Sequence, residues 1–430
     1  MMGADHGAAA RAVVELARDE RFGDLEALFA PPLRAQVSAE TVRTAWASEM
    51  GRNGPVSAIG TPASEPIHSG LVRVSVPVTC ERGGLTMVMA LDETGLIHGL
   101  RLAPPATAAW TPPPYADQEA FDEHEVTLGA GPLAVPGTLS LPRGHEPRPG
   151  VVLLAGGGPF DRDATGGPNK PLKDLAWGLA SRGVAVLRFD KVTHVHGARV
   201  ADTPGFTMSE EYVPHAVAAV RLLQAQPMVD PGRVFVVGHS MGGKVAPRVA
   251  AAEPSVAGLV ILAGDAQPMH RAAVRVTRYL ASLDPGAEEF AELIARQAAT
   301  VDSPGLSPST PAAELPFGLP GAYWLDLRGY DPVAAAAALD RPMLILQGGR
   351  DYQVTVEDDL ARWRAGLAHR PDVTIRVHDA DNHLFFPGAG PSTPAEYEVA
   401  HHVDAAVVAD VAEWLAPRGR PGGGGGPWCP

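Results

Sequence analysis

Cysteine is nearly absent: Cys80 and Cys429 are the only two in 430 residues, and Cys429 sits in a Gly/Pro-rich tail. So few, so placed, exclude a disulfide framework and a cysteine-based metal site. Lysine is almost as scarce, with Lys170, Lys173, Lys191 and Lys244 the only ones among 35 basic residues. Positive charge as a whole is outweighed, the net charge being -14. Phosphate recognition needs a concentrated basic surface, so a nucleic-acid partner is excluded. No uninterrupted apolar stretch reaches the ~18 residues of a membrane-crossing helix. The start, MMGADHGAAARAVVELARDERF, has no basic segment followed by an apolar one, which predicts no secretory leader and a cytoplasmic location.

What is present is a chain 45% hydrophobic and long enough for two or three modules. Residues 1–102 read as a small α+β domain. A helical pattern carries Val13, Leu16, Leu25 and Leu28, and strands alternate through Val72, Val74, Val76 and Val78, then Leu85, Met87, Met89 and Leu91. The proline-rich stretch 103–117 reads as a connector. Residues 418–430, with five consecutive glycines, read as a disordered tail.

Between them, 118–417 changes rhythm. Two strands near 123–129 and 133–141 precede the apolar runs Val151–Ala155, Val184–Leu187, Val234–Val237, Leu259–Leu262 and Met343–Leu346, and the more polar Val373–Val377. Apolar runs without alternation are strands covered on both faces, as in a parallel sheet. Helical patterns lie between them, so the expected fold is a doubly wound, mostly parallel α/β sheet. Residues 266–332 interrupt the alternation with two helical segments and the aromatics Phe317, Tyr323, Trp324 and Tyr330, the place for a lid. His401 and His402 are expected on a terminal amphipathic helix ending near Trp414.

The chemistry gathers at the ends of these runs. Gly238-His239-Ser240-Met241-Gly242 has the G-x-S-x-G pattern, directly after a buried strand and directly before a helix-compatible segment. That context separates a sharp nucleophile turn from a glycine-rich turn with an incidental serine. A serine needs a base, and the base an acid to orient it. His383, in VHDADNHLFF, is the expected base, with His378 as its competitor, and Asp351, in LQGGRDYQV, the expected acid, with Asp265 as its competitor. Two backbone N–H groups should face a developing oxyanion: Met241, after the serine, and Gly157, in the turn Ala155-Gly156-Gly157-Gly158-Pro159.

Around these lie residues that could contact substrate or brace those that do: Gly158, Phe160, Asp161, Lys191, His239, Tyr323, Trp324 and Tyr352. For Asp161-Arg162-Asp163 an ion-pair network holding the turn is favoured over substrate contact. Lid aromatics are more often core than substrate pocket. His194 and His196 accompany Lys191, but no spacing fixes a metal.

Taken together, AGGGPFDRD, GHSMGG, LQGGRDYQV, DNHLFF and YWLDLRGYDP resemble the bacterial two-domain α/β-hydrolase esterases that carry a small N-terminal domain. The resemblance implies carboxylesterase activity on a small-molecule ester, with Ser240, His383 and Asp351 as catalytic residues and no metal or organic cofactor. A thioesterase or cyclising acyltransferase of a biosynthetic pathway is the alternative on the same site, and a non-hydrolytic ligand-binding or rearrangement role is the more distant one. A homodimer is a possible assembly.

Overall fold

The computed structural model describes residues 6–416 apart from 36, 67–70, 104, 106–109 and 202. It divides into two compact units, 1–109 and 110–430. The glycine-rich tail from 418 and Cys429 lie outside the described residues.

The first unit begins with four helices, α1 (His6–Arg18), α2 (Phe22–Ala27), α3 (Pro31–Arg34) and α4 (Ala39–Asn53). Strands β1 (Val56–Ile59), β2 (Ala63–Pro66), β3 (Val72–Cys80), β4 (Gly84–Leu91) and β5 (Ile97–Ala103) follow as one antiparallel sheet. The helical pattern through Val13 and Leu25 belongs to two helices, because Glu20 takes a positive φ of 57° that ends the first. Val13, Val14 and Ala17 of α1 share a buried core with Val74, Val76 and Val78 of β3 and Leu85, Met87, Met89 and Leu91 of β4. Alternation in the two strands therefore marks the face that helices cover.

The second unit is a three-layer α/β structure. A hairpin, β6 (Phe121–Leu128) and β7 (Val135–Pro142), precedes β8 (Arg148–Leu154), α5 (Pro171–Ala180) and β9 (Ala185–Phe189). Short helices α6 (Val192–Val195) and α7 (Gly197–Ala201) lead to α8 (Met208–Gln224), β10 (Val229–His239), α9 (Met241–Ala252) and β11 (Leu259–Leu262). An insertion follows, with α10 (Met269–Leu283), α11 (Glu288–Asp302), α12 (Gly321–Gly329) and α13 (Pro332–Ala337). The chain then closes through β12 (Met343–Gly348), α14 (Ala361–Leu367), β13 (Val373–His378) and α15 (Ala405–Leu415).

The eight strands run β13-β12-β11-β10-β8-β9-β7-β6. Those from β8 to β13 pair in parallel, and the β6–β7 hairpin is antiparallel. Successive residues serve opposite layers: Val152 and Leu154 join a core with α8 and α9, Val151 and Leu153 one with α5 and α15. Both faces of the central strands are covered, which is why β8 to β12 read as unbroken apolar runs while the edge strands β6 and β13 do not.

Strand order reverses at β8, with β9 on one side and β10 on the other. At such a switch point the loops leaving the carboxyl ends diverge and open a crevice. Register places Gly238 of β10 beside Leu154 of β8, so the serine turn and the glycine turn leave the sheet at one height.

Two stretches differ from simple expectation. Of the proline-rich segment 103–117, Ala103 closes β5, while Trp110 donates its indole N–H to Asp174 Oδ1 (2.8 Å) and Tyr115 its hydroxyl to the Val403 carbonyl (2.8 Å), both within the second unit. His401 and His402 precede the terminal helix instead of lying on it: Asp404 caps α15, its carboxylate accepting from Ala406 N (2.8 Å). Among the described residues, no helix is long and apolar enough to cross a membrane.

Candidate active site

Ser240 sits at the junction of β10 and α9 with φ 55° and ψ -121°. A non-glycine residue held there is strained by roughly 1–3 kcal/mol, so the surroundings must impose it. They do so through glycine. A Cβ on Gly238 would lie 2.1 Å from the Gly242 carbonyl oxygen, and one on Gly242 would lie 2.4 Å from that of Leu154. The chain turns this tightly only because neither side chain exists. The expected helix after the serine begins at Met241 itself, three residues earlier than Lys244.

The glycine turn after β8 closes on the serine. A Cβ on Gly156 would meet Ser240 Cβ at 3.3 Å, and one on Gly157 would meet the Met241 side chain at 3.2 Å. Gly158 has φ 110°, a conformation open to glycine. Gly157, Gly158, Ser240 and Met241 all line one cavity of about 920 Å³. Met241 is the first residue of α9, and N–H groups in the first turn of a helix have no intrahelical acceptor.

His383 and Asp351 meet at the same edge. His383 Nδ1 lies 2.7 Å from Asp351 Oδ2, and both residues are about 5% exposed. Asp351 is itself held by three donors: its Oδ1 accepts from Gln353 N (2.7 Å) and Val354 N (2.9 Å), and its Oδ2 from Gln347 Nε2 (3.2 Å). Since the carboxylate can only accept, Nδ1 carries the proton and Nε2 is left as the basic nitrogen. His239 holds the loop from behind. Its ring lies 4.7 Å from that of His383 and its Nε2 2.8 Å from the His383 carbonyl oxygen. Burial, followed by proximity to His383, lowers the His239 pKa to about 3, so this imidazole is neutral and donates from Nε2. Asp265, the competing acid, is bound elsewhere, by the buried Lys244 ammonium at 2.7 Å.

Behind the glycine turn lies a buried polar network. Lys191 Nζ donates to the Gly156 carbonyl (2.9 Å) and to Tyr212 Oη (2.7 Å), and Tyr212 donates to the same carbonyl (2.7 Å). Glu211 Oε1 accepts from Lys191 Nζ (2.9 Å) and Thr193 Oγ1 (2.9 Å), and its Oε2 accepts a short hydrogen bond from Tyr323. Tyr323 Oη also lies 3.6 Å from Met241 Sδ. Burial lowers the Lys191 pKa while Glu211 works against that, and burial with Glu211 alongside raises the Tyr323 pKa. One network thus touches both segments that flank the serine. Lys191, Tyr323 and His239 were visible in the sequence. Glu211 and Tyr212 were not, because early acids of an amphipathic helix read as solvated.

The remaining candidates fall outside the cavity wall. Asp161 accepts from Asp163 N (3.1 Å), Thr165 N (2.8 Å) and Thr165 Oγ1 (2.6 Å), so it shapes its own turn. Its neighbours form the ion-pair network: Arg162 with Asp190 and Glu125, Asp163 with Arg188 and Lys170. Phe160 packs over Gly158. Trp324 is fully buried in the core against His270, and Tyr352 stacks on Tyr279 at 4.9 Å with its pKa raised by burial to about 12.

The cavity wall is apolar on the insertion side, with Met269, Ala272, Ala273, Val276, Phe317 and Leu319. Its two carboxylates, Glu211 and Asp265, each face a buried lysine. The site therefore presents a hydroxyl, an imidazole–carboxylate pair and backbone donors beside a neutral pocket.

Residues 151–398 match the model of the alpha/beta hydrolase family. The chain is 37% identical over 338 residues to Esterase EstD of Thermotoga maritima, covering 78% of this chain and 77% of that one. Among solved structures it is similar to a Pyrococcus furiosus esterase, with TM-score 0.45 and 19% identity over 72% of this chain and 98% of that one. It is also similar to the esterase domain of a Rhodothermus marinus protein, with TM-score 0.42 and 18% identity over 68% of this chain and 97% of that one.

Proposed function

The chain belongs to the α/β-hydrolase family, and from that premise we propose that it is a carboxylic ester hydrolase working through a Ser240–His383–Asp351 acyl-enzyme. The observation that carries the reading is the strained Ser240 turn at the same sheet edge as the 2.7 Å His383–Asp351 pair. Nε2 of His383 takes the proton as Ser240 Oγ attacks the ester carbonyl. Asp351 keeps the imidazole in the required tautomer and stabilises its charged form. The N–H groups of Met241 and Gly157 donate to the tetrahedral oxyanion. His383 then returns the proton to the leaving alcohol, and water activated by the same nitrogen releases the acid.

Neutral, apolar substrates suit the pocket, since both wall carboxylates are matched by lysines and the insertion contributes hydrocarbon. Desolvating a charged acyl group against such a wall would be unfavourable. The same reading assigns 118–417 as the catalytic domain, 266–332 as its lid, and 1–102 as a separate domain.

Turnover of p-nitrophenyl esters of graded acyl length tests this. The expected result is measurable hydrolysis by the wild type and a fall in kcat on the order of 10⁴ or more in Ser240→Ala. Undiminished turnover in Ser240→Ala would remove the assignment. Thioester turnover without oxyester turnover would move the substrate class to the acyl-thioester alternative.

A further inference from the structure

Behind the loop that carries His383 lies a group of residues that no catalytic step uses. His378 ends β13, Asp381 sits two residues before His383, and Asp404 caps α15. One ligand-type atom from each lies within 4.8 Å of the others. Asp381 is fully buried, and neither of its carboxylate oxygens has a hydrogen-bond partner. Buried carboxylates are ordinarily paired, because leaving one bare is strongly unfavourable.

The other charged groups nearby do not satisfy it. The Arg350 guanidinium is committed to Glu396 and to the Gly390 carbonyl at 2.6 Å. Asp404 accepts from Ala406 N through Oδ1 (2.8 Å), and one of its carboxylate oxygens lies within 4.8 Å of a ligand atom of Asp381. Burial, followed by the negative charge of Asp404, raises the Asp381 pKa to about 7. A cation would relieve both causes at once.

His378 is set up as a ligand. Its Nδ1 lies 4.0 Å from Asp381 Oδ2, and its Nε2 lies 3.2 Å from Asp410 Oδ2 without a formed hydrogen bond. Asp410 is in turn held by Arg376.

We propose that His378, Asp381 and Asp404 form a binding site for a divalent first-row transition ion, which ties the His383 loop to β13 and to the start of α15. One imidazole and two carboxylates suit ions from Mn²⁺ to Zn²⁺. Closure by less than about 1 Å per ligand brings the three atoms to the ~2.0–2.2 Å of such sites. The ion is structural: its ligands stand behind the loop, and it takes no part in ester cleavage.

The test is calorimetric titration of the full-length protein, first stripped with EDTA, with Mn²⁺ and separately with Zn²⁺, alongside thermal unfolding. The expected result is one saturable site for at least one ion, a higher Tm with it, and affinity at least tenfold weaker in Asp381→Asn. The metal-free Asp381→Asn protein should be at least as stable as the metal-free wild type, since the isosteric amide removes a bare buried charge. Asp404→Asn keeps a capping side chain and should also weaken binding. Uptake of neither ion by the wild type would overturn the proposal. So would binding that Asp381→Asn leaves unchanged, which would place the ion on surface histidines.

Discussion

At the residue scale, the few lysines are informative. Lys191 and Lys244 are buried beside the cavity, each matched to a carboxylate in its wall. A compact ammonium can donate to Gly156 O, Tyr212 and Glu211 from one point, which the broad fork of arginine cannot. Lys191→Met should therefore lower kcat by tenfold or more with little change in KM, because the glycine turn loses its brace. It should also destabilise the fold by about 3–5 kcal/mol, as Glu211 is left buried without its cation. Steady-state kinetics and denaturant melts check both, and an unchanged kcat would detach the network from catalysis.

His239 supplies a pH signature. Folded, it stays neutral down to about pH 3, whereas an unfolded imidazole protonates near 6.5. Between these values the unfolded chain binds the extra proton, so this contribution is complete above about pH 6.5 and lost as the pH falls toward 3. Between pH 7 and 4 the wild type should lose on the order of 3 kcal/mol more than His239→Gln, whose amide N–H can still reach the His383 carbonyl. Parallel pH-stability curves for the two proteins would contradict the burial argument.

At the element scale, the serine turn depends on backbone approach. Gly242→Ala would push a methyl to 2.4 Å from Leu154 O and 2.7 Å from Ala155 O. Both are main-chain atoms of the adjacent β8 end and cannot swing aside. The expected outcome is destabilisation of several kcal/mol and at least a hundredfold loss of ester turnover, read by thermal melts and kinetics. A variant as stable and active as the wild type would mean that the turn is looser than described.

The central strands of the second unit were the most legible elements, because burial on both faces leaves an apolar run in each. Helix starts were less so. The periodicity that extended the last helix back to His401 overlooked Asp404, whose capping role competes with an apolar pattern that runs through it. α9 begins at Met241 although Gly242 and Gly243 are poor helix formers, since the tight turn, not propensity, sets its first residue. The His383–Asp351 pairing followed from strand order, but Glu211 and Tyr212 did not, because their roles depend on which loop their helix faces.

At the scale of the whole molecule, the two units have separate cores. Those of the second unit draw only on residues from Tyr115 onward, and that of the first on residues before 103. A chain starting at Trp110 should unfold cooperatively and hydrolyse short esters within about tenfold of the full-length rate. Failure of that fragment to fold would show that the first unit completes the second.

The most direct measurement is peptide mapping by mass spectrometry after treatment of the full-length protein with a fluorophosphonate. Such a reagent is trapped by a serine activated through an imidazole base. The expected result is one adduct on the peptide containing Ser240, absent after Ser240→Ala and strongly slowed in His383→Ala. No adduct, or an adduct that persists in Ser240→Ala, would contradict the assignment of Ser240 as the nucleophile.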